Sequence, residues 1–334
     1  MSPAGTSEEQ AYQRLRPLMF AIAYRMLGSV TEAEDIVQEA FLRYHRAPEP
    51  DSPKAYLSAI TTRLCIDHLR SARARREAYV GEWLPEPLLT GPQAAGPGAA
   101  GADPADLAEQ SDSLSMAFLL LLERLSPVER AVFLLHDVFS YGYDETAQIV
   151  GRTQDNCRQL ARRARQHVSE SRPRYEPSPA KRAQLADRFF AAVDEGDLDG
   201  LVTLLAADVG LYGDNGGMRP SWPRPVSGRD KVSRVLATVG RQIRAAGATV
   251  RQTEVNGQPG VLYEDGDGAL IAVLTVDIAD GQVQAVRTVL NRDKLRHLGP
   301  LADVAAVLSR VRRQAGQPAR PGRPEPGQPG PAGP

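Results

Sequence analysis

The chain has 334 residues, room for two or three domains, with 42% hydrophobic residues and a net charge of −1, so it is no polycation and any nucleic-acid surface has to be local. Cys65 and Cys157 lie far apart inside helical patterns, and His45, His68, His136, His167 and His297 are scattered without ligand spacing, so no disulfide, metal or cofactor is expected. No secretory leader and no run near the ~20 residues of a membrane span is visible; a cytosolic protein that does not enter a membrane is expected.

The first amphipathic helix covers 8–28, with Leu15, Leu18, Met19, Ile22 and Met26 as one stripe and Gly28 as its stop. Thr31 with Glu34 reads as the capping box of a second helix, which turns Ile36, Val37, Ala40, Phe41 and Tyr44 inward. Ser52-Pro53 opens a third, long helix whose far end carries Arg70, Arg73, Arg75 and Arg76. That basic end is either a solvated terminus or a phosphate-facing one.

Residues 79–112 read as a flexible Gly/Pro/Ala linker, interrupted by WLPEP at 83–87. The apolar pair Trp83-Leu84 between prolines is an anchor. It serves either as a clasp on the preceding helix or as a docking point for another domain.

Helices resume at Ser113 and form a compact four-helix unit over 113–172. Its apolar segment SMAFLLLLERL has to be buried, and Ser126-Pro127 with Glu129 caps the next helix. Tyr143 to Val168 then reads as two helices around a tight turn at Gly151, with Thr153 as the cap of the second. Cys157, Leu160, Ala161 and Ala164 face a core, whereas Arg158, Gln159, Arg162, Arg163 and Arg165 face outward. A second helix with a basic, amide-bearing face is the helix-turn-helix pattern. Arginine and glutamine make bidentate contacts with base edges, and further arginines neutralise phosphates.

From about 180 the pattern changes. Two helices broken at Gly196-Asp197 and a helix over 229–245 precede alternating segments at 248–255, 260–264, 270–278 and 282–290, joined by Gly/Asp turns. Helices followed by a run of antiparallel strands give an α+β domain over 180–298. A helix over 299–315 and a disordered Pro/Gly-rich tail over 316–334 complete the chain. The fold class is therefore multidomain, two all-α units followed by one α+β domain.

Several blocks resemble the extracytoplasmic-function sigma factors of the sigma-70 family. AEDIVQEAFLRYHR at 33–46 is similar to region 2.2, which binds core RNA polymerase, and KAYLSAITTRLCIDHLRSARARRE to regions 2.3 and 2.4, which melt and read the minus-10 element. LSPVERAVFLLHDVFSYGYDETAQIVGRTQDNCRQLARRAR is similar to region 4, which reads the minus-35 element. WLPEP, DNGG at 214–217, VNGQPGVLY at 255–263 and NRDKLRHL at 291–298 resemble the SigJ-type group with a fused C-terminal SnoaL-like (NTF2-like) domain. The resemblance implies a curved sheet with helices around an interior pocket that admits a small-molecule ligand. Three departures stand out. The group's Asp-Gly-Gly-Gly-Lys loop ends in Met218 here, Arg292 replaces the proline of Asn-Pro-Asp-Lys-Leu, and Arg63 stands where many members place an asparagine.

On this reading the partners are core RNA polymerase, through Asp35, Gln38, Glu39, Arg43 and Phe41, and promoter DNA. The DNA-binding set is Arg63, His68, Arg70 and Arg73 on the third helix with Thr153, Arg158, Gln159, Arg162, Arg163 and Arg165 on the helix-turn-helix. A long linker lets two readers span separated elements on one DNA. Trp83 and Leu84 are expected to meet Asp214, Gly216, Gly217, Asn291, Asp293 and Lys294 of the fused domain, which regulates initiation and is no enzyme. The alternative is a tethered cyclase or isomerase, with Asp208, Asp214 and Asp277 as candidate bases, Tyr212, Trp222 and Tyr263 as lining, and His297 as the domain's histidine.

Overall fold

The computed structural model describes residues 3–46, 50–77, 79, 81–90, 112–169, 178–217, 225–307 and 309. Three helices make the N-terminal unit: α1 (Pro3–Leu27), α2 (Val30–His45) and α3 (Pro53–Glu77). Gly28 ends α1 in the left-handed region, at φ +68°, and a Cβ there would meet the Trp83 ring at 2.9 Å. The cap of α2 is Ser29, whose hydroxyl accepts from Glu32 N, and not Thr31; the helix starts two residues earlier than the capping box suggested. Leu15, Met19, Val37, Ala40 and Leu57 close the core between these helices.

The helix-turn-helix unit contains α4 (Met116–Leu122), α5 (Pro127–Phe133) with a π-helical turn at Leu134–Val138, α6 (Tyr143–Val150) and α7 (Gln154–Ser169). Ser126 and Glu129 form a reciprocal capping box on α5. The two helical units do not stand apart on a free linker. Ile22, Met26, Cys65, Ile66 and Leu69 pack with Phe118, Leu122, Phe133, Leu134 and Ile149 in one continuous core. Buried Arg130 spans the two units, donating to Met26 O at 2.6 Å and to Glu123 at 2.8 Å. Ser58 and Tyr141 hydroxyls meet at 2.7 Å in the same seam. The apolar run at 116–122 is thus buried against a second unit as well as its own.

The C-terminal domain opens with α8 (Pro179–Glu195) and α9 (Leu198–Leu204), then β1 (Leu205–Asp214), β2 (Val226–Ser227), α10 (Arg229–Ala245), β3 (Thr249–Val255), β4 (Gln258–Glu264), β5 (Leu270–Ala279), β6 (Gln282–Val289) and the short α11 (Arg292–Leu295). The sheet order is β2-β1-β6-β5-β4-β3. β1 pairs parallel to β6, so the sheet is mixed and not purely antiparallel, and the segment read as the end of a helix becomes a strand. Phe189, Phe190, Leu201, Val232 and Leu236 pack on Val261, Leu274, Val276 and Ile278, which gives the sheet its helical face. The opposite face, with Leu262, Val273 and Val289, packs on Leu84 and Met116 of the preceding units. The expected helix over 299–315 is described only in its first turn, after 303, and the tail over 316–334 lies outside the described residues. No described helix is long and apolar enough to cross a membrane.

Candidate nucleic-acid and polymerase interface with its interdomain clasp

The left-handed Gly151 (φ +68°) turns α6 into α7, and Thr153 Oγ1 accepts from Asn156 N at 3.2 Å, capping α7. Cys157, Ala161, Ala164 and Val168 bury one side of α7. Arg158, Gln159, Arg162, Arg163 and Arg165 are all exposed on the other. Arg158 pairs with Asp155 at 2.8 Å, and Arg165 with Asp137 at 2.7 Å. Exposed pairs of this kind contribute less than about 1 kcal/mol, so an incoming phosphate or base edge can displace them. Each has a second acceptor, Gln154 Oε1 at 3.2 Å for Arg158 and the Tyr143 hydroxyl at 3.3 Å for Arg165.

The third-helix set divides differently. Arg63 does not face solvent freely: Nε donates to Ile149 O at 2.9 Å and Nη2 to Gln148 O at 2.8 Å. It satisfies carbonyls at the C-terminal end of α6, where a cation is favoured. His68 Nε2 lies 3.0 Å from Glu32 Oε1, and Arg70 pairs with Asp67 in solvent. The Arg73 side chain lies outside the described residues.

On α2, Asp35, Gln38 and Arg43 are exposed. Glu39 pairs with Arg43 at 2.7 Å. Phe41 is half-buried, its ring 4.0 Å from that of Tyr12, and the neighbouring Leu42 is exposed. This is a mixed apolar and charged patch on a rigid helix.

Trp83-Leu84 is covered by the C-terminal domain and by α1. Leu84 is fully buried, and such burial stabilises by about 1.5–3 kcal/mol. Its N–H donates to Asp214 Oδ2 at 2.9 Å, and Lys294 Nζ donates to its carbonyl at 2.5 Å. Lys294 also pairs with Asp214 Oδ2 at 2.6 Å, under the Trp83 ring at 4.3 Å from its centroid. Tyr79 donates to Asp214 Oδ1 at 2.5 Å and accepts from Asn291 at 2.8 Å. Burial first, and the Asp214 carboxylate second, push the Tyr79 phenol far above its ordinary range, so it keeps its proton and donates. Gly216 N donates to Asp214 Oδ1 at 3.1 Å. Gly217 and Asp293 stand outside the clasp: the Gly217 amide bonds Asn215, and exposed Asp293 pairs with Arg296. Trp222 and Met218 lie outside the described residues.

The chemistry-bearing residue that sequence reasoning passed over is Glu86 of the same WLPEP motif. It is buried and accepts from Ser29 Oγ at 2.7 Å, Val30 N at 2.8 Å and Thr31 N at 3.0 Å. A carboxylate thus sits on the free amides that begin α2, where the helix end favours negative charge. Its only sequence signal was its place inside an anchor motif. The candidate bases for catalysis are otherwise engaged: Asp214 belongs to the clasp and Asp277 pairs with buried Arg287, while Asp208 is exposed.

Family models match three segments: sigma-70 region 2 at residues 11–75, sigma-70 region 4 at 115–168 and a SnoaL-like domain at 186–290. The ECF RNA polymerase sigma factor SigJ of Mycobacterium tuberculosis is 38% identical over 304 residues, covering 86% of this chain and 93% of that one. The chain belongs to the extracytoplasmic-function sigma factors of the sigma-70 family. A probable sigma factor SigI from the same organism is 34% identical to this sigma factor over 289 residues, covering 85% of the chain and 93% of the relative. The crystal structure of Mycobacterium tuberculosis SigJ superposes with a TM-score of 0.69 at 34% identity, over 87% of this sigma factor and 99% of that chain. The helical units and the mixed-sheet domain are therefore the regions of a sigma factor that directs promoter-specific initiation, with a SnoaL-like domain fused behind them.

Proposed function

We propose that this sigma factor engages core RNA polymerase through the α2 patch and promoter DNA through α7, and that its fused domain controls both in cis by gripping the linker. The single observation that carries the reading is the shared use of WLPEP. Trp83 and Leu84 are held by Asp214 and Lys294, while Glu86 three residues from Trp83 caps the polymerase-facing helix. Docking and the state of α2 are thereby connected through one short rigid segment. The fused domain biases a two-state equilibrium by its differential contacts. It acts as a clamp in this reading and performs no chemistry.

Run-off transcription with purified core polymerase tests it. Full-length protein, a truncation after Pro177 and Asp35→Arg are compared at one promoter. The truncation changes promoter-dependent output, and folded Asp35→Arg loses association with core polymerase by tenfold or more, as expected for a reversed charge in a contact patch. Identical output from full-length and truncated protein would remove the cis control; undiminished core binding by Asp35→Arg would remove the α2 assignment.

On the DNA side, Arg158→Ala is expected to relax sequence preference in the upstream element at a cost of about 1–3 kcal/mol, and leave binding to random duplex nearly unchanged. Fluorescence anisotropy on specific and scrambled duplexes measures it. Equal losses on both duplexes would reassign Arg158 to the phosphate backbone.

A further inference from the structure

The turn between β3 and β4 is buried where a hairpin turn is ordinarily wet. Asn256 (φ +53°) and Gly257 (φ +69°) form a two-residue turn with both residues left-handed, and Asn256 is 0% exposed. Its backbone N–H donates to Leu88 O at 2.7 Å, and its Oδ1 accepts from Leu88 N at 3.0 Å. Linker residues 88–90 thereby extend the sheet edge, with Leu89 bridging Val255 and Thr90 N donating to Glu254 O at 2.9 Å. The Nδ2 group donates to Tyr24 Oη at 2.6 Å, in the N-terminal unit, and to Leu114 O at 3.1 Å, in the helix-turn-helix unit. The Tyr24 hydroxyl in turn donates to Glu86 O at 2.6 Å. One side chain therefore touches the linker and both helical units with every donor used.

Turn geometry alone does not call for asparagine here. The β5–β6 turn has the same left-handed pair in Asp280 (φ +51°) and Gly281 (φ +70°), at an exposed position. An aspartate serves that turn equally well but has no N–H to give to Tyr24 or Leu114. The amide orientation is also fixed by the network, since the opposite one would set donor against Leu88 N and acceptor against Leu114 O.

We infer that Asn256 is a positioning residue that holds the linker, the N-terminal unit and the helix-turn-helix unit in the closed arrangement. The regulatory consequence rests on the cis control proposed above; the geometric role does not. Loss of the amide takes the side-chain partner from the partly buried Leu88 N and Leu114 O and from the buried Tyr24 hydroxyl, so the closed arrangement weakens while each unit stays folded.

The test uses full-length protein with spin labels at Asp51→Cys and Asp267→Cys, both exposed positions, and reads the distance distribution between the first helical unit and the fused domain. Asn256→Gly keeps the left-handed turn and deletes only the amide; Asn256→Asp keeps shape and loses the donors. Both are expected to raise the open population about tenfold or more, the effect of losing two hydrogen bonds in Asn256→Asp and three in Asn256→Gly. Asp280→Gly at the comparison turn leaves the distribution unchanged. Tyr24→Phe acts in the same direction as Asn256→Gly, and the two combined lose less than the sum of the singles. A wild-type distance distribution in Asn256→Gly overturns the inference, even if truncation after Pro177 still changes transcription. If Asn256→Gly opens the molecule and neither it nor the truncation alters transcription, the positioning role stands and the cis control falls.

Discussion

Asp214→Ala is expected to undock the fused domain from the linker. The carboxylate is fully buried and accepts from Tyr79, Leu84 N, Gly216 N and Lys294. Its removal takes the paired carboxylate from a buried ammonium, and breaking one side of a buried ion pair costs about 3–5 kcal/mol. Lys294 keeps the Leu84 carbonyl and the rings of Trp83 and Tyr79, which carry no negative charge. The Asp214→Ala protein should show a larger radius of gyration in X-ray scattering and several-fold higher core-polymerase association than wild type. An unchanged scattering curve would mean that the clasp is incidental to docking. Lys294→Met offers the contrasting arm. It removes the other charge, leaves Asp214 with three neutral donors, and should undock less.

Glu86→Ala is the second large effect, and it acts on α2 itself. Four donors at the start of the helix lose their acceptor together, two of them backbone amides. A lost cap costs about 0.5–2 kcal/mol, and a buried carboxylate with several charge-assisted bonds adds to that, for a total of about 2–4 kcal/mol. Hydrogen exchange at Val30 and Thr31 should accelerate by at least tenfold, with core-polymerase binding falling in parallel. Glu86→Gln retains one acceptor oxygen and is expected to recover part of the protection. If exchange at these amides were unchanged in Glu86→Ala, the linker would not be reporting to α2.

What the sequence made legible follows from how local each signal is. The helix-turn-helix was readable because Gly151, Thr153 and the alternation of Cys157, Ala161 and Ala164 with arginines all lie within one short stretch. Trp83-Leu84 stood out by contrast with its Gly/Pro/Ala surroundings. The parallel pairing of β1 was hidden because LVTLLAADV has no alternation strong enough to mark where α9 stops at Leu204. Glu86, Asn256 and Arg63 were not legible for a different reason. Each is an ordinary polar residue whose partners lie more than fifty positions away, at Val30, Tyr24 and Ile149. Arg63 illustrates the point: its departure from the family's asparagine was visible, but its engagement with α6 carbonyls depends on two helical units meeting.

The continuous core formed by Cys65, Ile66 and Leu69 with Phe118 and Leu134 has a kinetic consequence. Exposing those apolar side chains to water costs free energy, so separation of the two helical units is an uphill unimolecular event. On the proposed reading, polymerase competes for the seam. Its apparent affinity is scaled down by the fraction of molecules already parted, and where parting is slow its capture rate levels off with concentration. Such a chain can be abundant in the presence of free polymerase and still be silent, with its threshold written in the packing of α3 against its own DNA reader.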